Sequence, residues 1–295
     1  GNMLGAIIGD KAGSNYEMEE INYWKEYKKP RPYEERIKIM DPKTPLFAEN
    51  SIFTDDTVWT CAIYDAIVNG DCDYESYLKE YGKKELAKGL DKYGRGRFSP
   101  GSIKWITGNY EGTSYGNGAA MRISPIGFIF NSFEQIKEQS YLATIPSHNH
   151  IDAIKSAEAV AITIYLLRTG MSKKEVEEYI KKNYYPMNYS LEELRHTYTF
   201  KSKAKDTVPQ ALFCFFQSQD FENTIRTAIS IGGDTDTIAS IAGALAESYY
   251  GVPETIKEEI KKELDEDKYN LLKNKYFNQK TYKIKTKGKE NKNGF

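Results

Sequence analysis

The sequence predicts an all-α protein folded as one compact domain. Three observations carry this. Apolar residues recur at helical spacing through most of the chain, and only one short run alternates with the period of a strand. No stretch has the composition of a flexible linker.

Taken in order, Leu4, Ile7 and Ile8 open a first apolar helix face. The segment from Met18 to Ser51 follows, with Pro30, Pro32, Pro42 and Pro45, and reads as a long irregular loop over the body. Val58, Ala62, Ile63 and Ala66 then form a second face, ended by Gly70. From Asp152, apolar positions Ile154, Ala157, Val160, Ala161, Ile164 and Leu167 define a long helix that stops at Gly170. Ser172 with Glu175 three residues later is a capping box for the next. Lys182 to Thr207 reads as irregular, whereas Thr207–Phe216 and Glu222–Ile231 suit helices. Pro253 opens a last helix with a charged outer face, "PETIKEEIKKELDEDKYNLLKNKY". The alternating "YKIKTKGK" lies in a lysine-rich tail and predicts an edge strand or a frayed end. One domain, 1–295, is expected, with a motif-bearing core at 3–251 and the C-terminal helix and tail at 252–295.

Composition narrows the function classes. Hydrophobic residues make up 40% and charged residues 28%, ordinary for a globular chain of 295 residues. With 41 basic and 42 acidic side chains the net charge is −1, so no global field favours nucleic acid or an anionic membrane. Cys61, Cys72 and Cys214 match no thiolate metal spacing, and their odd number suits a reducing, cytoplasmic setting. "MLGAII" is too short and uncharged for a signal peptide, and no apolar run approaches the ~20 residues that span a bilayer. A monomer is the default expectation.

The chemistry concentrates in two look-alike stretches, Thr54-Asp55-Asp56-Thr57-Val58 and Asp234-Thr235-Asp236-Thr237-Ile238. Each sets carboxylates and threonines at the mouth of an apolar helix. Helix capping alone explains one acceptor per mouth. Each mouth supplies several, and crowded carboxylates repel and raise one another's pKa unless a cation neutralises them. If the mouths face each other, Asp55, Asp56, Asp234 and Asp236 form a cup with Thr54 and Thr237 as neutral oxygen donors. That is a hard-ligand set suited to Mg²⁺, Mn²⁺ or Ca²⁺, with charge enough for two divalent ions. Gly232 and Gly233 let the backbone turn sharply beside it.

These blocks, with "GAIIGDKAGSNYE" and "YGNGAAMRISPIG", resemble the ADP-ribosylglycohydrolase family, in the family's order from Met3 to about Gly251. The resemblance implies an orthogonal helical bundle with a two-metal site, magnesium foremost or manganese, that removes ADP-ribose from a modified acceptor. Carried over, Thr54, Asp55, Asp56, Asp234, Asp236 and Thr237 correspond to metal ligands. Glu17 corresponds to an acidic residue near the metals that gates substrate entry, and Asp10 to a supporting aspartate. Gly116, Asn117, Gly118 and Met121 correspond to the segment whose backbone amides meet the pyrophosphate and distal ribose. His148 corresponds to a histidine contacting diphosphate oxygens, while His150 and Asp152 suit helix capping. Arg122 is a further candidate for balancing the diphosphate. Glu247 departs from the family pattern, where a small residue is common.

The expected reaction is hydrolysis at C1″, which builds positive charge on the ribose as in other glycoside hydrolyses. Two divalent ions would orient the ribose hydroxyls and a water, with Asp55, Asp56 or an assisting Glu17 as general base. Two alternatives stand beside it: an inactive ADP-ribose-binding protein of the same fold, and a two-metal nucleotide phosphohydrolase.

Overall fold

The computed structural model describes residues 3–96 and 98–272. Among them the order is α1 (Gly5–Tyr27), α2 (Tyr33–Arg36), α3 (Asp55–Val68), α4 (Tyr74–Ala87), α5 (Pro100–Ile106), α6 (Ser124–Ile129), α7 (Phe133–His148) and α8 (Ile151–Arg168). There follow α9 (Lys173–Asn183), α10 (Leu191–Thr197), α11 (Val208–Phe216), α12 (Phe221–Ser230), α13 (Thr235–Tyr250), α14 (Glu254–Glu263) and α15 (Glu266–Leu272). No strand occurs among the described residues, only the isolated bridges Thr113–His148 and Gly116–Lys203. None of these helices is long and apolar enough to cross a membrane. The tail run "YKIKTKGK" lies outside the described residues.

Helix α13 is the axis of the fold. Every residue from Thr235 to Ala246 is buried, and α1, α8, α11 and α12 pack around it. Its closest partner is α1, which crosses it at Gly5, Gly9 and Gly13, one small residue per turn. A Cβ on Gly9 would fall inside the Ala239 carbonyl oxygen, and one on Gly5 or Gly13 would strike the carbonyl of Gly243 or Thr235. Backbones therefore touch with no side chain between them. Thr235 Oγ1 donates to the Gly13 carbonyl at 2.8 Å and fixes the register. Glu247 has a structural task here: it accepts from the Gly5 amide at 2.8 Å and the Leu4 amide at 3.3 Å, satisfying two donors at the start of α1.

The apolar faces at Val58, Ile154 and Thr207 become α3, α8 and α11, and Cys61 and Cys214 are core residues with free thiols. Of the capping box one arm forms, Glu175 N donating to Ser172 Oγ at 3.1 Å, while the Glu175 carboxylate accepts from the Ser172 hydroxyl at 2.8 Å instead of from its backbone N–H.

Three expectations are corrected. Residues 18–27 continue α1, because "MEEINYWKEY" is built of good helix formers and has Glu20 buried beneath it. The segment 182–207 is not wholly irregular: Ser190 caps α10, its Oγ accepting from Glu193 N at 3.1 Å. The helix opened by Pro253 breaks at Leu264, whose backbone is extended, and Asp265 starts α15 by accepting from Lys268 N at 2.8 Å.

Candidate active site

The α1–α13 crossing sets the geometry of the site. Because these two backbones touch, Asp10 and Glu17 of α1 lie beside the mouth of α13, and α3 starts against the same point. The two look-alike stretches do face each other. Carboxylate oxygens of Asp10, Asp56 and Asp236 lie within 4.8 Å of one another, and so do those of Glu17, Asp234 and Asp236. Asp236 belongs to both triplets.

Hydrogen bonding separates the caps from the remainder. Thr54 caps α3, its Oγ1 accepting from Asp56 N at 3.2 Å. Asp234 occupies the cap position of α13 but makes no side-chain cap bond; its Oδ2 instead accepts from Asn117 Nδ2 at 2.9 Å. The carboxylates are therefore surplus to capping. Asp10 accepts from Thr54 N, Thr54 Oγ1, Thr57 N and Thr57 Oγ1, which ties it to the first turn of α3. Asp56 accepts at Oδ2 from Thr237 Oγ1 at 2.8 Å, and its Oδ1 lies 2.9 Å from Thr54 Oγ1. The single hydroxyl proton of Thr54 faces oxygens of Asp10, Asp56 and Asp236, and it can serve only one. Asp236 Oδ1 is buried with no hydrogen-bond donor among the described residues.

Such crowding is unfavourable for ionised acids in the absence of a cation. Burial first, then the charge of Asp236, raises Asp56 to about 7. Burial and Asp234 raise Asp236 to about 7. Burial, with Asp236 and Asp234 adjacent, pushes Glu17 well above the usual carboxylate range. Asp55 goes the same way through burial and Asp56, and Asp10 through burial, Asp56 and Asp236. An all-oxygen set with an orphaned buried carboxylate oxygen fits hard divalent cations.

The acids floor a cavity of about 510 Å³, a volume suited to a nucleotide-sized ligand. Glu17, Asp55, Asp56, Asp234, Asp236 and Thr237 line it; Thr54 belongs to the same hydrogen-bond network without lining the cavity. Gly116, Asn117, Gly118, Met121 and His148 line it too. The Asn117 amide donates to the Ser202 carbonyl at 2.8 Å and the Gly116 amide to Ser114 Oγ at 3.1 Å, so these two N–H groups are already committed. The Asn117 side chain braces Asp234, a task its sequence position did not suggest. Arg122 is corrected outright: it is fully buried under the loop, bonded to Ala143 O and Ser147 Oγ, and is not in the cavity wall. His150 caps α8 by accepting from Asp152 N at 3.0 Å, as its position allowed. His196 is exposed and stacks on Tyr33.

Two sets of residues were not legible beforehand. Trp59, Phe98, Trp105 and Tyr110 add aromatic rings to the cavity lining, with Trp59 and Phe98 rings 4.8 Å apart. Glu20 and Arg36 form a buried ion pair at 2.6 Å, and Glu20 Oε1 also accepts from the Gly233 amide at 2.9 Å. Gly232 and Gly233 are left-handed, with φ of 77° and 76°, and sit against Arg36 and the Tyr198 ring. The pair thus clamps the turn that aims Asp234. No sequence signal marked it; the α1–α13 crossing, also missed, has one in the four-residue spacing of Gly5, Gly9 and Gly13.

The chain matches the sequence profile of the ADP-ribosylglycohydrolase family over residues 1–284. It is 25% identical to the mouse (Mus musculus) protein named ADP-ribosylhydrolase ARH3, across 86% of this chain and 85% of that one. It is 24% identical to ADP-ribosylarginine hydrolase Tri1 of Pseudomonas putida strain GB-1, across 85% of this chain and 70% of that one. A solved structure titled "ADP-ribosylglycohydrolase-related protein complex" superposes with a TM-score of 0.68 at 18% identity, over 96% of this chain and 97% of that one, and shares its fold.

Proposed function

Given that the chain belongs to the ADP-ribosylglycohydrolase family, we propose that it is a divalent-cation-dependent hydrolase that releases ADP-ribose from a modified acceptor by cleavage at C1″. The observation that carries this reading is the pair of carboxylate triplets sharing Asp236 at a nucleotide-sized cavity. The names of the relatives, hydrolases of ADP-ribosyl groups, point the same way.

In this reading Asp56, Asp236, Asp234 and Asp55, with Thr54 and Thr237, hold two cations, Mg²⁺ or Mn²⁺. When bound, they supply the positive charge that lets the acids ionise together and acidifies water. Asp10 keeps Thr54 and the first turn of α3 in place. The aromatic rings of the lining offer flat faces to the adenine base. The reacting ribose then lies over the acids, where negative side chains stabilise the charge that develops at C1″. Asp55 is the best-placed general base, being half-buried at the cavity surface, whereas Asp56 is buried and its Oδ2 accepts from Thr237 Oγ1. Glu17, half-buried in the cavity lining beside Asp234 and Asp236, is an assisting acid in this reading.

The test is incubation with arginine-, serine- and nucleic-acid-linked ADP-ribose conjugates in Mg²⁺, Mn²⁺ or chelator, with products separated by chromatography. Free ADP-ribose that disappears with chelator supports the proposal. Inorganic phosphate or AMP as product would identify a phosphohydrolase, and ADP-ribose binding without turnover an inactive binder.

A pH dependence follows from the same acids. Their folded pKa values lie above the unfolded ones, so the associated stability is complete below about pH 4 and is lost as pH rises through about 7. The chelated protein should therefore melt several degrees lower at about pH 8 than at about pH 5. Saturating Mg²⁺ should raise the melting temperature more at the higher pH, where fewer protons compete. Equal Mg²⁺ stabilisation at both pH values would contradict this account.

A further inference from the structure

Arg122 is a fully buried cation lying over the Trp59 ring, 5.4 Å from its centroid; among the described residues it has no carboxylate partner, and its Nε and Nη1 have no hydrogen-bond acceptor. Such a group is costly to bury, so its placement calls for a reason. Its Nη2 donates to Ala143 O at 2.7 Å and to Ser147 Oγ at 2.8 Å. Ser147 Oγ lies 2.6 Å from His148 Nδ1. Arginine cannot accept a hydrogen bond, so Ser147 accepts from it and has one proton of its own to give. The acceptor in reach is His148 Nδ1. A buried neutral imidazole that accepts at Nδ1 must carry its proton on Nε2. Burial and the neighbouring Arg122 charge both hold His148 well below its usual pKa, which keeps the ring neutral.

Nε2 is directed at the glycine loop in the cavity wall. A Cβ built on Gly118 would come within 2.9 Å of Nε2, and the side-chain hydrogen bond of His148 among the described residues is made through Nδ1. We propose that Arg122 and Ser147 are positioning residues that lock His148 in the Nε2–H tautomer, so that it presents a neutral donor to an acceptor oxygen of the bound ligand. Resting on the reading above, that oxygen belongs to the diphosphate or distal ribose of ADP-ribose. The relay assigns Arg122 an indirect role in place of direct charge pairing with the ligand. A neutral donor suits a ligand that must later leave, since it binds oxygen without the grip of a full charge.

The chain has three histidines, so imidazole ¹⁵N spectra of the whole protein are readily assigned with His148→Gln as reference. The ligand-free wild type should show a pyridine-type Nδ1 and a pyrrole-type Nε2 for residue 148. Ser147→Ala should replace this by an averaged or reversed pattern and weaken ADP-ribose binding roughly 5- to 10-fold, the effect of one lost hydrogen bond. His148→Gln, whose amide can place N–H near the Nε2 position, should bind within about 3-fold of wild type, and His148→Ala should match Ser147→Ala. An Nδ1–H tautomer in the wild type overturns the proposal. So does unchanged ADP-ribose affinity in Ser147→Ala, or equal loss in His148→Gln and His148→Ala. Should Ser147→Ala fail to fold, the wild-type spectrum and the two His148 variants decide. Failure of the wild type to bind ADP-ribose, with the expected tautomer present, would locate the error in the proposed function and remove the ligand half of this inference with it.

Discussion

Asp236→Ala is expected to reduce ADP-ribose release by at least about 10²–10³-fold while leaving the helical circular-dichroism spectrum intact. The magnitude follows from position. Asp236 is the one carboxylate in both triplets, and its Oδ1 is buried without a donor. Removing it takes a carboxylate from both triplets together, whereas Asp234→Ala touches only one. Calorimetric titration with Mn²⁺ should therefore lose both binding events in Asp236→Ala. Folding is spared because the side chain is a source of repulsion: Glu17, Asp56 and Asp234 all crowd it. The chelated variant should even melt at or above the wild-type temperature near neutral pH. Full activity in this variant, or two intact Mn²⁺ sites, would remove the basis of the proposed function.

Gly9→Ala is expected to destabilise the protein by about 3 kcal/mol or more, a consequence of forced overpacking. Two effects oppose each other here. Alanine favours a helix over glycine by about 1 kcal/mol. Against that, its methyl would overlap the Ala239 carbonyl, which is backbone and cannot rotate away. The helices must part, and the apolar contacts along their crossing loosen with them. At roughly 2–4 °C per kcal/mol for a chain near this size, melting should fall by about 6–12 °C. Because the crossing sets Asp10 and Glu17 against α13, Mg²⁺ affinity should fall as well, although Gly9 touches no carboxylate of the triplets. An unchanged melting temperature would show that the crossing is looser than described. The contrast between the variants is informative: one spares the fold and abolishes the site, the other damages the site through the fold.

The all-helical class, the Ser172 cap and the acidic character of the two helix mouths were legible because each rests on a local signal, whereas their facing each other was a condition that only the fold could meet. Periodicity, a cap three residues from its partner, and two carboxylates beside a threonine are visible within a few positions. Residues 18–27 were misread because a polar helix face resembles a loop when its buried contact, Glu20 with Arg36, lies 16 positions away. Arg122 was misread for a related reason. Its charge suggests a ligand contact, but only packing shows that it lies beneath the loop and faces Ser147.

The primary structure alone thus fixed which oxygen donors exist, which helix starts carry them, and the hard-cation chemistry they suit. The three-dimensional arrangement decided that Asp236 is shared by the two triplets, that Glu247 caps α1, and that Asn117 braces Asp234. The division has a physical cause. Helix propensity and capping act over a few residues along the chain, whereas charge sharing and hydrogen-bond partnership depend on distances of a few ångströms between segments that only the α1–α13 contact brings together.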